Sequence, residues 1–196
     1  MIKKVDIEKA VEIYVNKIEK DFLEDEIPPL FVFERCIKEG IFECFTFDAN
    51  IDEIEYKEVG YIVTRKIKDI IFIMVLAIDK DIRGNGLGKL MLNEFKSFVK
   101  DKFNIIILEV ENPEGNGIDS EEKNAREKRI KFYKNLDFKI VENLKYLLVK
   151  IDYKILYLCL NDSEKILDAK QVIDIMEAVY KNVLRNRDWL EMEVIN

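Results

Sequence analysis

The 196-residue chain contains no histidine. That removes Ser–His and Cys–His nucleophile pairs, histidine general bases and most zinc sites. Any acid–base chemistry must use carboxylates, Tyr, Lys, Cys, the backbone or water, and no metal is expected. Cysteine is scarce: Cys36, Cys44 and Cys159 show no CxxC spacing. So sparse and odd a set suggests reduced thiols in a cytosol, each read first as a small buried apolar residue. Positive charge is in deficit, with 32 Lys and Arg against 39 Asp and Glu and a net charge of -7. This disfavours nonspecific binding to nucleic acid or anionic lipid and suits a cationic partner. Long hydrophobic runs are missing too. The longest, Ile70 to Ile78, falls far short of the ~20 residues that span a bilayer, and the opening residues lack the apolar core of a signal peptide. A cytoplasmic protein with neither a membrane nor a nucleic-acid partner is the expectation. Repeats, low-complexity tracts and Pro/Gly/Ser linkers are absent, so residues 1–196 read as one domain.

Apolar periodicity supplies the elements. Asp6 can cap a helix running to about Phe22, with Ile7, Ala10, Val11, Tyr14, Ile18 and Phe22 on one face. "DEIPPL" breaks it, and a second short helix, about Phe31 to Lys38, stops at Gly40. "IFECFTF" and "EVGYIVTR" flank the polar "DANIDEIEYK" as a hairpin with a long loop, and "DIIFIMVLAID" completes a meander. "MIKKV" gives no clear strand. Leu87, Leu90, Met91, Phe95, Phe98 and Val99 recur at helical spacing, and "NIIILEVEN" is a buried strand. A strand, a helix and a strand imply a crossover that sets the two strands parallel. Asp119 with Glu122 can cap the next helix, to about Leu136. "FKIVENLKYLLVKI" and "YKILYLCL" read as two strands, and residues 163 to about 187 as an amphipathic helix including Ile166, Val172, Ile173, Met176, Val179 and Val183.

Glycine is also scarce, seven in all, yet three fall in "IRGNGLGK". A P-loop needs four residues between its glycine and Gly-Lys, then Ser or Thr; here three lie between Gly84 and Gly88, and Leu90 follows Lys89. A dinucleotide fingerprint wants glycine where Lys89 stands and belongs after the first strand of a βαβ unit. The pattern [Q/R]-x-x-G-x-[G/A] fits, as Arg83, Gly84, Asn85, Gly86, Leu87, Gly88. A ligand-free turn is the alternative.

With "FIMVLAIDKDIRGNGLGKLMLNEF", "IIILEVEN" and "RIKFYKNLDF" in that order, the sequence resembles the GCN5-related N-acetyltransferase (GNAT) family over about 43–160. The resemblance implies an α/β fold: a mixed, mostly antiparallel sheet flanked by helices, with a splayed parallel strand pair and, here, an extra C-terminal helical extension at about 163–190. It implies acetyl-CoA as acyl donor, CoA as product, and direct attack by a primary amine, from a small molecule or a peptide. Backbone amides of Arg83, Gly84, Asn85, Gly86, Leu87, Gly88 and Lys89 would hold the pyrophosphate. The strand end Leu76, Ala77 and Ile78 would pair with pantetheine and polarise the acetyl carbonyl. Tyr133, in "FYKNLDF", matches the family's acid for the leaving thiolate. Glu109, in "LEVEN", matches a common base. Glu111, two residues on, would share its face and hold the ammonium, act as base itself, or form structural salt bridges. Glu26, in the acidic loop with Glu24 and Asp25, and Tyr146 are further acceptor-site candidates. Asp137 replaces a frequent glycine after the tyrosine helix and must take a left-handed conformation. The extension would pack on the sheet, extend the acceptor site or make a homodimer contact; a monomer is equally compatible. A noncatalytic acyl-CoA-binding module would keep the glycine loop without needing Glu109 or Tyr133.

Overall fold

The computed structural model describes residues 1–24, 26–51, 53–115, 117–161, 166–181, 183 and 190–195. The class is mixed α/β, with nine mostly antiparallel strands among the described residues. The chain divides into two compact units, Met1–Phe103 and Asn104–Asn196.

In the first unit a short strand β1 (Ile2–Lys4) pairs antiparallel with β2 (Phe42–Ile51) through Ile2↔Phe47. Its three residues carry one buried side chain, too little pattern to show in sequence. Asp6 caps α1 (Ile7–Ile13) by accepting from the Lys9 amide at 2.9 Å. The helix then widens into a π-helical segment, Tyr14–Ile18, before a last turn, α2 (Glu19–Asp21). Tyr14 stays on the buried face, its ring 4.7 Å from that of Phe33 and its hydroxyl donating to Pro28 O at 2.6 Å. The second expected helix is α3 (Leu30–Lys38), and Gly40 follows it at φ +68°.

β2, β3 (Ile54–Ile67) and β4 (Ile70–Ile78) form the expected antiparallel meander. The long hairpin loop does not exist, because the ladder continues to Ile51↔Ile54. A bulge between Phe47 and Ala49 lets Asp48 leave the ladder, where it accepts from the Glu58 amide at 2.8 Å and from Lys3 Nζ at 2.6 Å. Charged residues thus satisfy the strands from the side, which hides the apolar alternation. A second bulge shifts the register from Val63↔Val75 to Thr64↔Ile73, leaving Met74 the extra residue in β4. Such a residue bends its strand and re-aims the residues beyond it, here Leu76 to Ile78.

α4 (Leu87–Val99) buries Leu87, Met91, Leu92, Phe95 and Val99. Gly60 in β3 makes close packing possible beneath it: a Cβ there would lie 2.7 Å from Ile78 Cδ1, 2.8 Å from Met91 Sδ and 3.0 Å from Ala77 O. The backbone oxygen cannot swing away, so Gly60→Ala is expected to destabilise this unit by about 1–3 kcal/mol. A lowered urea midpoint at unchanged slope would show it.

In the second unit β5 (Ile105–Glu111) pairs antiparallel along its length with β8 (Ile151–Cys159), from Ile105↔Cys159 to Glu111↔Tyr153. α5 (Ser120–Lys134) starts at Asp119, whose side chain accepts from the Glu121 and Glu122 amides. Asp137 takes φ +68° just after it, the left-handed conformation the sequence requires. The stretch expected as one strand over 138–151 is two, β6 (Lys139–Ile140) and β7 (Leu144–Leu148), and β7 turns back into β8 through Val149 at φ +50° and Lys150 at φ +68°. Neither residue belongs to the usual left-handed set of Gly, Asn and Asp, so the turn left no signal. α6 (Ala169–Tyr180) is the described part of the expected terminal helix. Asp168 and Gln171 form a capping box at its start, and Val172, Met176 and Val179 are fully buried. Ile166 precedes it and is 75% exposed. Residues 163–165, 182 and 184–187 of the expected helix lie outside the described residues. A ninth strand, β9 (Leu190–Val194), unanticipated from sequence, pairs with β7 from Leu144↔Val194 to Leu148↔Leu190.

Candidate active site

The glycine loop follows the end of β4 through a 3-10 turn, Lys80–Ile82. Gly84 and Gly86 hold φ +89° and +75°, and a Cβ at either would meet no atom within 4 Å. Glycine is therefore required by backbone conformation, while the space above the loop stays open. Gly86 is the N-cap of α4 and supplies no side-chain cap, whereas α1, α5 and α6 are each capped by an aspartate. Among the described residues the first amides of α4 thus have no side-chain cap, and the helix end is electropositive. Open space, an exposed loop and free amides suit phosphate oxygens.

The side chains around the loop divide their work. Arg83 is turned back: its Nε donates to Ile78 O at 2.7 Å, and Nη2 lies 3.7 Å from Asp21 Oδ1. Asp21 also draws Lys80, at 3.4 Å, and accepts from the Tyr61 hydroxyl at 2.8 Å. Arg83 therefore braces the start of the loop. Asn85 closes the turn by donating to Ile82 O at 3.2 Å. Lys89 is exposed and remains the loop's outward cation. Leu76, Ala77 and Ile78 pair with Ile62, Tyr61 and Gly60 of β3. In an antiparallel ladder only alternate residues bond one neighbour, so the intervening amides point away from β3.

In the second unit, Glu109 and Glu111 part company. Glu111, 7% exposed, has one oxygen 2.8 Å from Arg126 Nη2 and the other paired with Arg129 Nη1. Arg126 also reaches Glu122 at 2.8 Å and the Asn112 carbonyl at 3.2 Å. Both Glu111 oxygens are thus committed to α5, the salt-bridge alternative read from the sequence.

Among the described residues Glu109 has no such cation. Tyr180 Oη donates to its Oε1 at 2.5 Å and Tyr146 Oη to its Oε2 at 2.8 Å. Burial pushes the carboxyl up to about 7, while the two phenols pull the other way. The residue nevertheless keeps some accessible surface, so it is packed around without being sealed. Tyr146 is fully buried in β7, with its ring 6.2 Å from that of Tyr153. It therefore belongs to the surroundings of Glu109 rather than to an open acceptor wall. Burial, followed by the charge of Glu109, raises both phenols well above their ordinary range, so they remain donors. Tyr180 escaped the sequence reading because it follows Val172, Met176 and Val179 as one more apolar-face residue of a helix.

Tyr133 is 8% exposed, between the rings of Phe132 at 5.1 Å and Phe138 at 5.5 Å. Burial pushes its phenol up to about 12, with Arg129 opposing. Its hydroxyl makes no hydrogen bond to a described residue. Among the described residues this protonated donor has no acceptor. Glu26 accepts from the Leu23 amide at 2.8 Å, closing its own loop; Asp25 lies outside the described residues. Among the described residues no group of acidic or cysteine side chains is arranged for a metal, and no helix is long and apolar enough to cross a membrane.

Residues 45–140 match the family model described as acetyltransferase (GNAT) domain. No curated protein sequence matches the chain. Its structure is similar to that of a GNAT-family protein from Bacteroides thetaiotaomicron, at 16% identity and TM-score 0.70, over 93% of this chain and 97% of that one. It is similar to NAA60 from Arabidopsis thaliana in complex with acetyl-CoA, at 12% identity and TM-score 0.56, over 81% and 97%. It is also similar to the ribosomal-protein-S18-alanine N-acetyltransferase from Escherichia coli, at 15% identity and TM-score 0.54, over 85% and 97%. At these identities the likeness is one of fold.

Proposed function

Residues 45–140 make the chain a member of the GNAT acetyltransferase family, and on that premise we propose that it transfers an acetyl group from acetyl-CoA to a primary amine by direct attack in a ternary complex. When bound, acetyl-CoA supplies a thioester whose carbonyl carbon is open to attack. The chain's own residues supply the rest. The amides of Gly84 to Lys89 hold the pyrophosphate, with Lys89 adding charge. Outward amides of Leu76 to Ile78 polarise the carbonyl. Glu109 takes the proton that the amine loses as its nitrogen bonds to carbon. Tyr133 donates a proton to the sulfur as the C–S bond breaks, and is reprotonated from solvent. The proposed products are an amide and CoA. A primary amine of a small molecule or of a peptide is the proposed acceptor, and the proposed location is the cytoplasm.

The observation that carries this reading is the carboxylate of Glu109, which titrates near neutrality within an enclosing pair of phenols. A general base works best with a pKa near the operating pH. Turnover tests it: acetyl-CoA is mixed with a panel of amines, and CoA is followed chromatographically because Cys159 is not fully buried and could react with a thiol dye. Amine-dependent CoA formation is expected. Binding without turnover on any amine would leave only the noncatalytic module.

The loop has its own test by calorimetric titration. Gly86→Ala places a Cβ in the open space above the loop and forces a left-handed alanine, at about 1–2 kcal/mol. Acetyl-CoA affinity is expected to fall by about tenfold. No acetyl-CoA binding by the unaltered protein at millimolar concentration would reduce the loop to a turn.

A further inference from the structure

We propose that Tyr180 and Tyr146 are positioning residues for Glu109: one hydroxyl on each carboxylate oxygen holds the base anionic and oriented, which makes the C-terminal helix part of the acid–base apparatus. The proposal rests on the reading of Glu109 as base.

The geometry is specific. The two hydroxyls reach different oxygens, at 2.5 Å from Tyr180 and 2.8 Å from Tyr146. A carboxylate accepts both at once, whereas a protonated acid would have to turn one contact round. Charge-assisted hydrogen bonds are short and about twice as strong as neutral ones. Among the described residues the groups facing Glu109 from packed elements are Tyr146 on β7 and Tyr180 on α6, with Tyr153 on β8 one ring behind. Glu111 on the same strand is neutralised by Arg126 and Arg129. Among the described residues no cation pairs with Glu109, and the two phenols are what offsets its burial.

Both donors are also fixed in place. Tyr146 is fully buried in β7, which is paired on both sides by β8 and β9. Tyr180 ends a helix whose start is locked by a capping box and whose Val172, Met176 and Val179 are fully buried. α6, β7 and β9 all lie beyond the family's matched residues 45–140. The catalytic strand of the domain thus receives its donors from the chain's own C-terminal part.

Tyr180→Phe removes one hydroxyl and keeps the ring. The ionisation of Glu109 is read directly by carboxyl carbon NMR across pH, the signal being assigned by its loss in Glu109→Gln. The midpoint is expected to rise by about one unit in Tyr180→Phe. The acidic limb of kcat/KM should rise with it, so that the loss of rate is larger at low pH than at high pH, while acetyl-CoA affinity stays unchanged. A midpoint that stays put overturns the proposal, and so does a loss of rate equal at all pH values. Tyr146→Phe repeats the test at the other oxygen and does not depend on how α6 is seated. A midpoint that moves while the rate limb does not would instead remove Glu109 as base, and with it the role that the phenols are proposed to serve.

Discussion

Glu109→Gln is expected to lower kcat/KM at neutral pH by roughly a hundred- to ten-thousandfold, the usual contribution of a positioned acid or base. The loss should shrink as pH rises, because the amine then loses its proton to solvent. In the unaltered protein the acidic limb should lie at about 7, where burial has moved the Glu109 carboxyl. A loss independent of pH would mean that Glu109 positions the amine rather than accepts its proton. The same substitution has a thermodynamic signature that needs no substrate. The folded-state value, about 7, lies above the ordinary 4.5, so between those values the folded chain binds more protons than the unfolded one. Stability from this group is therefore present below about 4.5 and lost as pH rises through about 7, at most about 3 kcal/mol in all. Glu109→Gln should flatten that slope.

Tyr133→Phe is expected to lower kcat by roughly tenfold to a hundredfold while acetyl-CoA affinity stays the same. The ring that packs against Phe132 and Phe138 is retained, and the hydroxyl removed has no acceptor among the described residues. Stability should therefore change by less than about 1 kcal/mol. Since its phenol is pushed up to about 12, the group stays protonated through the physiological range and should impose no alkaline limb there. Unchanged turnover would remove Tyr133 from the mechanism and leave water to protonate the thiolate.

The sequence made the parts with strong local signals legible. Asp6 and Asp119 mark their helices, Gly40 its stop, and the run Ile70–Ile78 its strand. What was hidden depends on pairing across the chain. β1 is too short to have a pattern, and β9 exists through its ladder with β7. The turn at Val149 and Lys150 uses residues that rarely adopt positive φ. Gly60 sits in an ordinary strand pattern, and only the approach of Met91 and Ile78 shows why it is glycine. For the candidate site, spacing could mark Glu109 and Glu111 as neighbours on one strand, but not that one faces phenols and the other arginines. Spacing places the backbone of Arg83 at the start of the glycine loop, but not that its side chain turns back to Ile78 and Asp21. Tyr180 carries a polar group at the end of an apolar stripe, and the stripe is the stronger signal.

The central claim, that this chain transfers acetyl groups and that Glu109 takes the proton, is tested most directly by one comparison. CoA formed from acetyl-CoA is measured with and without a primary amine, for the unaltered protein and for Glu109→Gln, from pH 6 to pH 9 (roughly the range over which a group near 7 titrates). The account predicts amine-dependent CoA formation that rises through about pH 7 in the unaltered protein and a deficit in Glu109→Gln that narrows toward high pH. Equal CoA formation with and without every amine tried, by a protein that binds acetyl-CoA, would contradict it.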